Sequence, residues 1–343
     1  MESERRKVQL TGKSTYIISI PKKWAVEMGI KEGDELVIEK QDGLLRISPK
    51  AVKRANKTGE VTLKLSATED PHAGARKVVS LYLVGYNVIR LQAEEERISA
   101  PQRETIKQFV RTKLVGMEIT TDLPNEMVLQ VLMSYPELSV KDALKRMCLI
   151  ATSMKRDAIS ALENFDETLA RDVIGRDDEV DRFGMYVIRQ LKSAVQEQSL
   201  IKEIGLETPR DCLGYRLIAK IIERVSDHVV LIAQNILQMK GRVGRFLVKK
   251  IKEMDSFVSE IFEDAVKSLF EGDYEMAEKV IERGRALVEV EEGVVREVLR
   301  RASREHLIAL RLIIESLRRI GEYGSDIAEI VLNLNATKMV EGR

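Results

Sequence analysis

The spacing of apolar residues changes character twice along the chain. Over the first fifty residues they fall in short, β-branched runs at 8–10, 15–20, 35–39 and 44–48, which predict strands. Gly12, Gly33-Asp34 and Asp42-Gly43 separate the runs, and Asp-Gly between two such runs predicts a tight hairpin. Pro21 opens one short helix over 22–28, with Gly29 placed as its C-cap. Four short strands in fifty residues bury too little apolar surface to stand alone, so completion by a second chain is expected.

Residues 51–138 mix the two periods. Runs at 61–66, 88–93, 117–121 and 127–133 predict strands, and 73–83 and 102–114 predict helices, the second led in by Pro101. This is a small α+β domain without a phosphate loop, a glycine fingerprint or a nucleophile motif. Its role stays open between sensing a ligand, transmitting strain and spacing the two ends.

From about Val140 onward the period is helical to the end, and Pro209 is the only proline after Pro136. Breaks at Phe165-Asp166, Gly205 to Pro209, Gly241 to Gly244, Gly272-Asp273 and near Ala302-Ser303 predict six helices. Each would be roughly 36–48 Å long at 1.5 Å per residue, with short connections that make neighbours antiparallel. The helices divide three plus three. Asp166-Glu-Thr-Leu-Ala170-Arg-Asp-Val173-Ile174 is repeated as Asp273-Tyr-Glu-Met-Ala277-Glu-Lys-Val280-Ile281, each opening on an aspartate N-cap. Glu223-Arg-Val-Ser-Asp227 is likewise matched by Arg318-Arg-Ile-Gly-Glu322, in the same order, which indicates a tandem repeat. The expected fold is multidomain and mainly α. Residues 1–50 form a β-rich domain and 51–138 an α+β domain, followed by antiparallel three-helix bundles over 139–240 and 241–338.

The first bundle carries two acidic pairs, Asp177 with Asp181 and Glu223 with Asp227. Spacing i, i+4 sets each pair on one helix face, one turn apart. On adjacent helices four carboxylates would converge, a hard oxygen donor set suited to magnesium, manganese or carboxylate-held iron. The alternative is a solvated acidic face, since Glu223 and Asp227 point away from the apolar stripe of Ile218, Ile222, Val225 and Val229, and Arg176 and Arg224 are available to pair with them. In the second copy Gly284, Val288 and Arg318 stand at the positions of Asp177, Asp181 and Glu223, so metal is expected in the first bundle only. Glu289, Glu291 and Glu292 lie nearby at a different spacing. His228 and His306 have no second histidine or cysteine beside them and read as packing or surface residues.

Composition narrows the remaining choices. Charged residues make up 32% and aromatics 5%, which suits long solvated helices, and a net charge of +1 leaves partner recognition to local patches. One such patch is Arg5, Arg6, Lys7, Lys13, Lys22 and Lys23, set against Glu2 and Glu4. It reads either as a phosphate-contacting DNA surface or as a basic edge that keeps strands from aggregating. Cys148 and Cys212 sit in apolar helical runs at no metal or redox spacing and read as buried thiols of a reducing compartment. With no signal-like start and no apolar run near ~20 residues, a cytoplasmic protein without membrane insertion is expected.

Two resemblances extend this reading. The bundle half, residues 139–335, resembles the PhoU family of phosphate-signalling proteins, carried by Asp166 to Ile174, Asp177 to Asp181 and Glu223-Arg-Val-Ser-Asp227-His228 followed by Ile232-Ala233-Gln234-Asn235-Ile236. The resemblance implies tandem bundles that bind multinuclear metal (magnesium, manganese, iron or zinc) on E/D-x-x-x-D motifs and contact a phosphate ABC transporter or sensor kinase. It implies no catalytic residue and a regulatory protein rather than an enzyme. The first fifty residues resemble the AbrB/SpoVT swapped-hairpin DNA-binding domain, through Arg6-Lys7-Val8, Gly12-Lys13, Ile18-Ser-Ile20-Pro21-Lys-Lys-Trp24, Met28-Gly29-Ile30, Gly33-Asp34 and Leu45-Arg46-Ile47. That implies an interlocked homodimer that binds DNA. Here Ala25 and Val26 occupy the places of the family's usual basic pair, and Lys22 and Lys23 directly follow the proline. Together the resemblances imply a DNA-binding regulator of phosphate uptake. The alternative is an adaptor that acts only by protein contact and uses its N-terminal domain to dimerise.

Overall fold

A computed structural model describes residues 3–12, 14–41, 43–49, 59–133, 138–197 and 199–341. The chain divides into two compact units, Met1–Gly59 and Glu60–Arg343. In the first, β1 (Gln9–Thr11) and β2 (Thr15–Ile17) form one antiparallel hairpin. Helix α1 (Lys22–Glu27) follows, and β3 (Leu36–Gln41) and β4 (Leu44–Pro49) form a second hairpin, with Ile38 opposite Ile47. Gly43 takes a φ of 82°, the left-handed conformation a tight turn needs; Asp42 and Lys13 lie outside the described residues. The two hairpins share no sheet. Pro21 is the only buried residue among those described in 3–49, while Leu10, Tyr16 and Leu44 are 59%, 74% and 73% exposed. Among its described residues a single copy of this unit thus shows no apolar core.

The second unit opens with β5 (Glu60–Leu65), α2 (Pro71–Val84), β6 (Val88–Ala93), α3 (Ala100–Lys113), β7 (Met117–Leu123) and β8 (Glu126–Val131). The strands form one sheet in the order β5-β6-β8-β7. β5 and β6 are parallel, joined by the α2 crossover, and the other pairs are antiparallel. Each helix begins where its capping residues dictate. The Asp70 side chain accepts from Ala73 N ahead of Pro71, and Ser99 forms a reciprocal capping box with Gln102 around Pro101. Gln102 is fully buried, and its Nε2 donates to the carbonyls of Ser66 (2.8 Å) and Glu69 (3.1 Å), which ties α3 to the loop after β5. Tyr82, Ile89, Leu91, Ile106 and Leu129 fill the space between sheet and helices.

The helical part comprises α4 (Val140–Asn164), α5 (Glu167–Gln196), α6 (Leu200–Glu203), α7 (Asp211–Leu237), α8 (Arg245–Glu271), α9 (Tyr274–Gly284), α10 (Leu287–Arg301) and α11 (Arg304–Glu341). The five expected breaks are present. Asp166 and Asp273 accept from the backbone of Leu169 (3.0 Å) and Met276 (2.9 Å), as the repeated N-cap predicts. The expectation of six helices is corrected in two places. The connection after α5 folds into the single turn of α6, and the second helix of the second copy is interrupted between α9 and α10. Glycine is a poor helix former, and the interruption directly follows Gly284. α11 crosses that point so closely that a Cβ on Gly284 would stand 2.2 Å from Ser325 Oγ.

The two copies share one hydrophobic core, which runs from Met147, Val187 and Ile222 through Ile232 and Ile251 to Ile313 and Ile320. α7 packs against α11, and α4 meets α8. Gly324 marks a close approach of α11 to α8, because a Cβ there would lie 2.8 Å from Ile261 Cγ2 and 3.3 Å from the backbone of Phe262. Backbone cannot move aside as a side-chain tip can. Gly324→Val is therefore expected to destabilise the protein by roughly 1–3 kcal/mol despite valine's better helix propensity. Urea unfolding should show a lower midpoint at unchanged slope.

Candidate functional site

α5 and α7 lie side by side, so the two acidic pairs face a common cleft on the bundle surface. Asp177, Asp181 and Glu223 are half-buried there, and Asp227 is exposed at the rim. Ser226, fully buried on α7, donates to Asp177 Oδ1 at 2.6 Å. Burial pushes the Asp177 carboxyl up, against the Ser226 hydrogen bond, and the charge of Asp181 pushes it further. Burial also raises Asp227, followed by the charges of Asp177, Glu223 and Asp181. The four carboxylates picked out by spacing therefore form one electrostatic cluster, in which Asp177 and Asp227 are held above their ordinary values by burial first and by their acidic neighbours second.

The positive partners were not legible in the sequence. Arg176 turns away to Asp157 (2.5 Å) and Asp172 (3.1 Å). The cation in the cleft is Lys113, the last residue of α3, whose Nζ lies 2.5 Å from Asp178 Oδ1 and 2.6 Å from Asp181 Oδ2. Burial lowers its pKa, but the two carboxylate hydrogen bonds outweigh this and hold it above its ordinary value. Lys220 pairs with Glu223. Lys113 belongs to another domain and no local pattern marks it; the one usable signal was Asp178, which extends Asp177 into an acidic doublet. Among the described residues no group of three histidine, cysteine, aspartate or glutamate side chains is disposed to hold a metal ion. The donor chemistry nevertheless fits a hard cation. The carboxylates are oxygen-only and partly desolvated, and they outnumber the lysines, Lys113 and Lys220, that pair with them.

The middle domain is held over α5 by Arg189. This guanidinium is 2% exposed and donates to the carbonyls of Tyr82, Gly85 (3.1 Å) and Tyr86 (2.9 Å) and to Asn87 Oδ1 (2.7 Å). It supplies a charged cap to the end of α2, where the helix carbonyls lack partners and the dipole is negative. It also lies 4.7 Å from the centre of the Tyr82 ring.

The second copy resolves its charges differently. Arg318, at the position of Glu223, contacts Glu291 at 3.0 Å and pairs with Glu322; Arg311 reaches Glu291 at 2.8 Å and Arg319 reaches Glu322 at 2.6 Å. Glu291 is thus buried and matched by arginines, and Glu292 pairs with Arg296 at 3.7 Å. His228 packs on the Tyr323 ring at 5.8 Å in the seam between the copies. In the N-terminal unit Arg5, Arg6, Lys7, Lys22 and Lys23 are all exposed. Arg6 pairs with Glu4, and Lys23 stands 3.9 Å from Glu27.

The repeat seen in sequence and fold coincides with a known family. The PhoU domain model matches residues 144–236 and again 251–331, one match per bundle copy. The chain belongs to the PhoU family. Its first residues, 9–55, match the model described as antidote-toxin recognition MazE, bacterial antitoxin, so this is a PhoU protein fused to a MazE/AbrB-like swapped-hairpin domain. The chain is 24% identical over 205 residues to phosphate-specific transport system accessory protein PhoU homolog 1 of Thermotoga maritima, covering 58% of this chain and 87% of that one. It is 25% identical over 209 residues to the PhoU homolog of Clostridium acetobutylicum, covering 58% and 91%. The crystal structure of the phosphate transport system regulatory protein PhoU from Streptococcus pneumoniae shares the bundle fold at a TM-score of 0.50 and 15% identity, covering 57% of this chain and 93% of that one.

Two outcomes follow for this site. Asp177→Asn removes one repelling charge and keeps an acceptor for Ser226, so it should raise the stability of the metal-free protein above neutral pH by a few tenths to about 1 kcal/mol. The folded-state pKa of Asp177 lies above its unfolded value, so its ionisation destabilises the fold as pH rises through that folded pKa. The Asn variant's advantage should accordingly vanish as pH falls below the ordinary carboxylate range, in melts recorded across pH. Arg189→Met leaves buried carbonyls unpaired and should cost on the order of 3 kcal/mol. Hydrogen exchange should show protection lost first in α2 and β6 while α7 and α11 keep theirs.

Proposed function

We propose that this PhoU protein is a dimeric, DNA-binding regulator of phosphate uptake whose bundle half reads transport status by contact with a phosphate ABC transporter or a sensor kinase. The observation that carries the DNA-binding half is the N-terminal unit. It has exposed apolar strands, one buried residue among those described, and basic side chains held in solvent. Two interlocked copies would bury Leu10, Tyr16, Leu44 and Leu45 and bring two basic sets to one surface. Arg5, Arg6, Lys7, Lys13, Lys22 and Lys23 would contact phosphates and position the dimer on the duplex. Phosphate enters through the relatives, which are named as accessory and regulatory proteins of phosphate transport.

The metal part of the proposal rests on Asp177, Asp181, Glu223 and Asp227. A bound divalent or trivalent ion (magnesium, manganese, iron or zinc) would supply positive charge to a cluster whose acids outnumber Lys113 and Lys220. The residues' own part is to present oxygens from two helices, with Ser226 orienting Asp177 and Lys113 holding Asp181 when the ion is absent. Elemental analysis of protein purified without chelator should find metal in stoichiometric amounts, and at least a tenfold lower content in the Asp177→Ala, Asp227→Ala variant. Unchanged metal in that variant would refute the assignment.

One observation favours a second reading, in which the N-terminal unit only dimerises. Arg6 and Lys23 have acidic neighbours, and Ala25 and Val26 stand where the resembling domains carry basic residues. Under the DNA-binding reading the full chain should bind its own promoter region with an affinity that falls steeply with salt. Lys13→Glu, Lys22→Glu, Lys23→Glu should then weaken binding more than tenfold while light scattering still reports a dimer. No salt-sensitive affinity in the unaltered protein would decide for the second reading.

A further inference from the structure

A groove follows the seam between the first helices of the two bundle copies. One part of it, about 660 Å³, lies between α4 and α8 over a floor of Cys148, Phe262, Val266 and Phe270. It continues past Thr152 and Arg156 to Lys252, and from there to Arg242 and Arg245 at the start of α8. From Lys145 to Glu163 that path covers about 27 Å of α4 at 1.5 Å per residue. The seam is pinned in its middle by buried Lys155, whose Nζ lies 2.6 Å from Asp255 Oδ1 and also donates to Ser259. Two features are unusual for a solvated helix face. Leu149, on the wall of the groove, is 71% exposed. The lining described carries eight basic side chains against four acidic ones. Arg156 and Lys267 flank the apolar floor and form no ion pair among the described residues; Glu263 is the one acid beside them.

We infer that the α4–α8 groove is the docking site for an amphipathic helix of a partner protein, one that presents an apolar stripe bordered by aspartate and glutamate. The inference rests on the reading of the bundle half as a module that acts through a protein partner, and it locates that contact away from the acidic cleft of α5 and α7. Length, concavity and charge select this occupant. A helix of about 18 residues spans 27 Å, and one helix lying between two others is a recurrent mode of peptide recognition. The apolar floor is recessed between two helices, where a flat bilayer does not reach. The excess of basic side chains along the rim attracts acidic residues and repels basic ones, which sets specificity and orientation more than affinity.

The test uses the full chain and a synthetic 18-residue peptide with leucine at helical i, i+3, i+4, i+7 spacing and glutamate elsewhere. Its counterpart carries lysine in place of glutamate. By fluorescence anisotropy the acidic peptide should bind at least tenfold more tightly than the basic one and weaken with salt. The Leu149→Glu, Arg156→Glu variant changes exposed residues, so its melting curve should be unchanged while its affinity falls at least tenfold. Arg171→Glu on α5, outside the groove, should bind like the unaltered protein. Equal binding of both peptides, binding unaffected by the groove variant, or no binding would each overturn the proposal. So would co-sedimentation with phosphatidylglycerol vesicles that the groove variant abolishes while peptide binding is absent, which would assign the groove to a membrane. If peptide binding behaves as expected but deletion of the gene leaves phosphate uptake unaltered, the phosphate reading falls and the docking site stands.

Discussion

The packing of α7 against α11 sets what the rest of the helical half is able to do. Each copy contributes its third helix to that contact, and both helices are apolar on two sides, toward their own bundle and toward the other. The resulting core has no boundary at the junction between copies. Two domains joined by a linker would hinge, whereas a shared close-packed core transmits displacement instead of absorbing it. The first copy's cleft is thereby joined through one packed core to α11 and α8. Gly214 marks the close approach of α7 to α11, where a Cβ would meet Leu334 at 2.9 Å, and Gly324 that of α11 to α8.

Against that rigid frame the two copies treat charge in opposite ways. The second satisfies Glu291 and Glu322 with arginines of α11, a closed network that needs nothing from outside. The first gathers carboxylates of which Asp177 and Asp227 are raised by burial and by neighbouring acids, with a single domain-crossing lysine for Asp178 and Asp181. Natural folds retain such opposition where it serves something other than stability. Arg318 at the position of Glu223, together with Gly284 and Val288 at those of Asp177 and Asp181, separates the second arrangement from the first.

The middle domain gains a physical place from Arg189 and Lys113. Arg189 reaches up from α5 to cap α2, and Lys113 reaches down from α3 to the cleft on the same helix. Both contacts fall on α5, so the orientation of the α+β domain and the charge state of the cleft are tied to one element. Lifting the domain from α5 would expose a buried guanidinium and release the only lysine that pairs with Asp181 among the described residues.

The sequence alone determined the helices and where they break, the capped starts at Asp166 and Asp273, the strands of the middle sheet, the repeat, and the acidic pairs with their loss in the second copy. Caps, breaks, strands and acidic pairs depend on residues within one or two turns of each other, where period and spacing are recorded directly, and the repeat is read by comparing such local patterns between the two copies. The break between α9 and α10 was missed because a lone glycine in an otherwise helical run does not announce whether a neighbouring helix will press on it. That α5 and α7 are neighbours, that Lys113 enters their cleft, that Arg189 caps a helix about a hundred residues away, and that two copies close on one core were decided only in the tertiary structure. The reason is common to all four. A contact between segments far apart in sequence fixes distance and burial without imposing any period on either segment, so only the folded chain shows which charges meet and which remain opposed.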